Sequence, residues 1–173
     1  MKISHPAKEE YPEYFGRYIA KVTDDDLLKF LKSSHQKTQN FIKKLKREQL
    51  NYRYAPGKWT IKEIMSHMCD GERVFAYRAM CFARMDKTNL PSFDENSYAE
   101  HSNAQLRNIS DIMKEFSAVR QATIELFRSL DAEALAQIGT ANQKQISVKA
   151  LGYVIAGHEV HHMQVIHEKY LKK

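Results

Sequence analysis

Hydrophobic positions recur at helical spacing in four stretches of the chain. In the first, Leu27, Leu28, Leu31, His35, Thr38, Phe41, Ile42 and Leu45 fall three or four apart, the mark of one buried helix face. Thr23 is placed to cap this helix, and the aspartates at 24–26 suit the positive end of its dipole, so a helix is predicted over about 24–48. The second stretch opens at GKWTIKEI, where Thr60 and Glu63 have the spacing of a capping box. Ile64, His67, Met68, Gly71, Val74, Phe75 and Arg78 then run down one side, predicting a helix over about 60–85. Ile112, Met113, Phe116, Val119, Ile124, Phe127 and Leu130 give the third, about 110–129. The segment SVKALGYVIAGHEVHHMQVIHEKYL gives the fourth, about 147–170.

The connections differ in character. DKTNLPSFDENSYAEHSN is rich in turn formers and reads as a loop. DAEALAQIGTANQKQ reads as an irregular link, with Thr140 or Ser147 marking a boundary. Upstream of Thr23, Tyr11, Tyr14, Phe15, Tyr18 and Ile19 make residues 1–22 an aromatic arm that would cover one side of the helices. The expectation is all-α: a single domain over 1–173, a four-helix bundle with the N-terminal arm packed on it. Two long connections leave room for a topology other than up-down-up-down.

Composition narrows the picture. Hydrophobic residues make up 43% of 173 residues, enough for a globular core, while 6 glycines and 4 prolines are too few for a turn-rich β fold. The net charge is +6. Much of the excess is Lys43, Lys44, Lys46 and Arg47, which suit the negative end of the first helix. No interleaved aromatics or known reading module accompany them, so nucleic-acid binding is not indicated. Cys69 and Cys81 lie on one predicted helix, about 18 Å apart along its axis, and cannot bridge each other within it. That fits a reducing compartment. MKISHPAKEEYPEYF lacks the apolar core of a signal peptide, and no apolar run reaches membrane length. A cytoplasmic protein is expected.

The chemistry gathers in AGHEVHHMQVI. His158, Glu159 and His162 spell H-E-x-x-H, elsewhere the mark of a zinc-protease helix. Only His167 and Glu168 follow as ligand types, on the same helix, and cannot complete a tripod, so the protease reading falls. Leu151, Ile155, His158, His162 and Val165 form one stripe, which puts the two histidines on adjacent turns of a core-facing side. His67 lies on the matching stripe of the second helix, and Gly71, one turn on, leaves room beside it. Three imidazoles could then share a metal at about 2.0–2.1 Å, with a position open for chemistry. The residues alone equally allow core histidines satisfied by hydrogen bonds. Glu63 and Asp70 flank His67 and could orient its ring or act in catalysis. Glu159 is a candidate base by adjacency, although it turns away from the stripe. Asp94 and Glu95 could cap the site from the loop.

These segments together resemble the DinB/YfiT-like superfamily of metal-binding four-helix bundles. The likeness rests on GKWTIKEIMSHMCDGERVFAYRAM, LPSFDENSYAEHSNAQ and GHEVHHMQVI, with PEYFGRYIAKV in the arm, and so spans nearly the whole chain. It implies a metal triad of His67, His158 and His162, a divalent ion, zinc or nickel, and a homodimer. It implies a small-molecule substrate and one of two activities: a transferase using a low-molecular-weight thiol, or a hydrolase using water at the metal. The alternative is a non-enzymatic metal-binding stress-response protein, in which the ion staples two helices.

Overall fold

The computed structural model describes residues 2–171. Four long helices form the bundle: α2 (Leu27–Ile42), α4 (Ile61–Ala83), α6 (Ile109–Arg128) and α8 (Val148–Val165). Shorter pieces are α1 (Glu13–Ile19), α3 (Arg47–Asn51), α5 (Glu95–His101) and α7 (Ala132–Ala136), with one antiparallel hairpin, β1 (Ile138–Ala141) and β2 (Lys144–Ser147). α4 packs on α6 and α8, and α2 packs on the same two helices. The sequence neighbours α2 and α4 therefore sit across a diagonal, so the bundle is not up-down-up-down.

Four expectations are corrected. The first helix begins at Leu27 rather than 24, capped by Asp26, whose Oδ1 accepts from the Leu28 amide at 3.1 Å. Thr23 does not cap it: the Asp26 amide, three residues on, donates instead to Asp24 Oδ1 at 3.1 Å. The same helix ends at Ile42 rather than 48: the backbone turns through Lys44 and Leu45 and restarts in α3, with the Gln49 side chain accepting from the Lys46 amide at 2.8 Å. This break brings Leu50 into the core beside Ile42 and Ile61. The link after α6 is not irregular but carries α7 and the hairpin. The loop before α6 contains α5, capped by Asp94. The second and fourth helices keep their expected starts. Thr60 and Glu63 form the capping box, and Ser147 caps α8 through the Ala150 amide at 3.0 Å. The last described residues, Ile166–Leu171, continue α8 as a wider π turn.

The arm is held by close approach. A Cβ at Gly157 of α8 would lie 1.9 Å from the carbonyl oxygen of Tyr18, so α1 can seat there only on a glycine. The hairpin sits as closely on α4: a Cβ at Gly139 would meet Phe82 at 2.0 Å. Its two-residue turn, Asn142 and Gln143, takes positive φ at both positions, 48° and 59°, as a tight hairpin turn requires.

The core is divided. One apolar cluster holds Leu27 and Leu31 of α2, Phe75 to Phe82 of α4, Ile124 and Phe127 of α6, and Val148 to Ala156 of α8. The other holds Ile42, Ile61 to Cys69 of α4, Ile112 to Phe116 of α6, and Ile166 with Tyr170. Between them every long helix presents buried polar groups: Ser34 and Thr38, Glu72, Arg120, and His158 with Glu159. The order of clusters along each helix makes α2 and α8 parallel neighbours, and likewise α4 and α6. The connection from α4 to α6, residues 84–108, must therefore run back along the bundle.

Candidate metal centre

The middle belt contains the three histidines. His67 Nε2 lies 3.0 Å from His158 Nε2, which lies 3.0 Å from His162 Nε2. The ligand atoms of all three fall within 4.8 Å of one another. Bonds of about 2.0–2.1 Å to one ion put neighbouring donors a little over about 3 Å apart, so the spacing fits a shared cation. The donor chemistry fits as well. Burial first, then the neighbouring His161, pushes His67 down to about 4. Burial also holds His158 well below the ordinary imidazole range, with His67 and His161 adding to it. The same holds for His162, where His158 and His67 contribute after burial. All three are thus kept in the neutral form that binds metals.

Each ring is positioned by its surroundings. Trp59 lies against His67, ring centroids 4.7 Å apart, and stacks on His162 at 6.4 Å. Tyr18 meets His158 edge-on at 5.5 Å. Gly71 faces the His158 ring, and a Cβ there would stand 3.2 Å from its Cε1. Gly71→Ala should therefore displace the central ring. Alanine favours the helix by about 1 kcal/mol, so the effect should appear in affinity rather than stability. Competition against a chromophoric chelator is expected to read a roughly tenfold weaker site. Unchanged affinity would mean that the ring is not held by this contact.

The other candidates are engaged elsewhere. Glu63 serves its capping box and accepts from Arg53 at 2.9 Å and Gln105 at 2.8 Å. Asp70 pairs with Arg73 at 3.5 Å. His67 Nδ1 is buried with no hydrogen-bond partner among the described residues, so neither carboxylate orients that ring. Glu159 points to the opposite side of α8. There Arg120 Nη1 donates to it at 2.8 Å, Ser34 Oγ at 2.7 Å and Thr38 Oγ1 at 2.6 Å. Asp94 caps α5, while Glu95 reaches a cavity wall. Cys69 and Cys81 are buried free thiols outside the triad.

That cavity, about 340 Å³, has His67 and His158 at one end and is walled by Phe15, Tyr18, Phe75 and Arg78, with Glu95 and Lys144 at its exposed edge. On the other side of the triad, His162 borders a smaller pocket with Trp59 and His161. The sequence reading missed the hairpin's share of the wall. It also missed Arg120, although a signal was present: Arg120 lies four residues from both Phe116 and Ile124, on the apolar stripe itself.

The model of the DinB superfamily matches residues 31–166. A protein of Oceanobacillus iheyensis that bears the name "Putative metal-dependent hydrolase" is 26% identical over 148 residues, covering 83% of this chain and 84% of its own. The fold is shared with YfiT from Bacillus subtilis, whose structure is titled "a probable metal-dependent hydrolase with an unusual four-helix bundle topology". The TM-score is 0.73 at 16% identity, over 95% of this chain and 91% of that one.

Proposed function

The chain belongs to the DinB superfamily, and from that premise we propose that it is a single-domain, metal-dependent hydrolase of small molecules, its divalent ion held by His67, His158 and His162. The observation that carries the reading is the convergence of three neutral imidazole nitrogens at the end of an aromatic cavity. The name of the Oceanobacillus relative supports it. A nitrogen-only donor set suits zinc or nickel. When bound, such an ion supplies Lewis acidity, which polarises a substrate oxygen and brings the proton of water or a thiol within reach of neutral pH. The chain's part is to bind the ion, to exclude bulk water with Phe15, Tyr18 and Phe75, and to offer Glu95 as the carboxylate of the wall. Glu63, Asp70 and Glu159 are tied to other partners and are not available there.

A thiol transferase would use the same ligands. The wall offers its carboxylate only at the exposed edge, and a thiol, with a pKa of about 8.5, needs less help than water in losing its proton. One experiment separates the two. Metal content is measured on protein prepared without chelators, and the loaded protein is then assayed on chromogenic esters and amides, and on an aryl halide with a small thiol. Turnover of the first panel, abolished by chelation and restored by metal, is expected. Turnover only with the thiol would favour the transferase. Activity indifferent to chelation would sink both.

A further inference from the structure

The bundle buries two arginines of opposite circumstance. Arg120 is 1% exposed and enclosed by carboxylates: Glu72 accepts from its Nε and Nη2, both at 2.9 Å, and Glu159 from its Nη1 at 2.8 Å. Arg78 is 6% exposed, yet no carboxylate lies within 4.0 Å of it among the described residues. Its one side-chain hydrogen bond there runs from Nη2 to the Pro91 carbonyl at 2.6 Å, and its guanidinium carbon, Cζ, stands 5.8 Å over the Phe75 ring centre. Burial pulls its pKa below the ordinary value, with no carboxylate opposing. Even so, an arginine in a protein stays protonated. A buried cation met only by a carbonyl and a ring is costly to keep, and this one lines the cavity that ends at His67 and His158.

The positions define the shape of what would fit. Arg78 follows Gly71, the residue facing His158, by seven positions on α4, two helical turns or about 10 Å. Its side chain leans back along the helix, toward the histidines. Between them the wall is aromatic, from Phe15 and Phe75. Glu95 and Lys144 are exposed at the rim, where water screens them and their charges offset each other. A lone guanidinium with its fork largely free matches a planar monoanion, held by two parallel N–H bonds.

We propose that Arg78 is a specificity residue that binds a carboxylate of the substrate, at the end of the cavity away from the histidines. The substrate class is then an amphipathic acid: an apolar or aromatic body with a carboxylate at one end and the reacting group at the other. This rests on the metal-hydrolase reading for the identity of the reacting end, but not for the carboxylate end.

The test is direct binding, independent of turnover. Calorimetry compares 4-phenylbutanoate with its neutral amide on metal-loaded wild type, on Arg78→Met and Arg78→Lys, and on metal-free His158→Ala, each checked for retained helicity. Wild type should favour the acid about tenfold or more, as a charged hydrogen-bonding pair allows. Arg78→Met should abolish that preference while holding the amide within about twofold, since methionine keeps the apolar stem. Arg78→Lys should restore part of it. The preference should persist in His158→Ala. A preference that survives in Arg78→Met but vanishes without metal would assign the carboxylate to the ion and overturn the proposal. Absence of acid binding at millimolar concentration would overturn it too. Persistence of the Arg78-dependent preference in a protein that hydrolyses nothing would instead strike the hydrolase reading and leave this one standing.

Discussion

Arg120→Met should destabilise the protein by about 3–5 kcal/mol, the range for removing one partner of a buried charged network. For a chain of this length that is a fall in melting temperature of roughly 10–15 °C. The lost guanidinium leaves Glu72 and Glu159 without a counter-charge in a buried belt, with only the Ser34 and Thr38 hydroxyls, among the described residues, donating to Glu159. In the wild type, burial disfavours the Arg120 charge, but Glu159 and Glu72 outweigh it and raise the pKa. The sign of the pH response follows. Without Arg120, two buried carboxylates are left with no counter-charge, and burial without a counter-charge favours the neutral form of a carboxyl group. Groups with a raised folded pKa give stability that is present at low pH and lost as pH rises through that pKa. The deficit of Arg120→Met should therefore shrink as the solution is acidified from neutrality. Urea unfolding at several pH values measures both. A deficit below about 1 kcal/mol, or one independent of pH, would mean that the belt is not held as an ion network. Because Glu72 lies five residues after His67 and Glu159 directly follows His158, the same variant should also weaken metal binding, through the packing of α4 on α8.

His158→Ala is expected to remove the metal altogether. His158 Nε2 lies between the other two nitrogens, 3.0 Å from each, so its loss removes the ligand that joins them. Loss of an outer partner alone weakens metal sites about 10–100-fold, and loss of a central ligand should reach at least the upper end. Metal at about a hundred times its dissociation constant stabilises the wild type by about 2.7 kcal/mol. Chelation should then lower the wild-type melting temperature by about 5–10 °C and leave that of the variant unmoved. Protons compete for the ligands only below their pKa values, and burial holds His67 at about 4. The wild type should thus keep its ion at pH values below the usual imidazole range, to about pH 5. One tightly held ion per chain in His158→Ala would remove the triad from the account.

Much of this was legible in the sequence because it lay in periodicity. The helices announced themselves by apolar spacing, and His67, His158 and His162 stood out as polar residues on apolar stripes. What spacing could not supply was contact between α4 and α8. That comes from a belt in which each long helix contributes one polar step, so that only one axial alignment satisfies all of them. Arg120 and Ser34 carried the same signal as the histidines, on their own stripes, but a lone arginine suggests no partner until the fold brings Glu72 and Glu159 to it. The hairpin was illegible for a different reason. Its strands are four residues each, include Gly139 and Ala141, and turn through Asn142 and Gln143 without a glycine, so neither alternation nor turn chemistry marked it. The early end of α2 was hidden because Leu45 keeps the helical spacing past the point where the backbone turns.

The seat of α1 on Gly157 has a consequence for how such a protein can diversify. Phe15 and Tyr18 line the cavity, yet both lie upstream of the stretch matched to the superfamily, residues 31–166, which contains every proposed ligand. The ligands and Arg78 therefore lie in one part of the chain, and the aromatic residues of α1 that complete the cavity wall lie in another. A change within α1 alters what the cavity accommodates while each histidine keeps its place, provided that Gly157 still lets the segment dock.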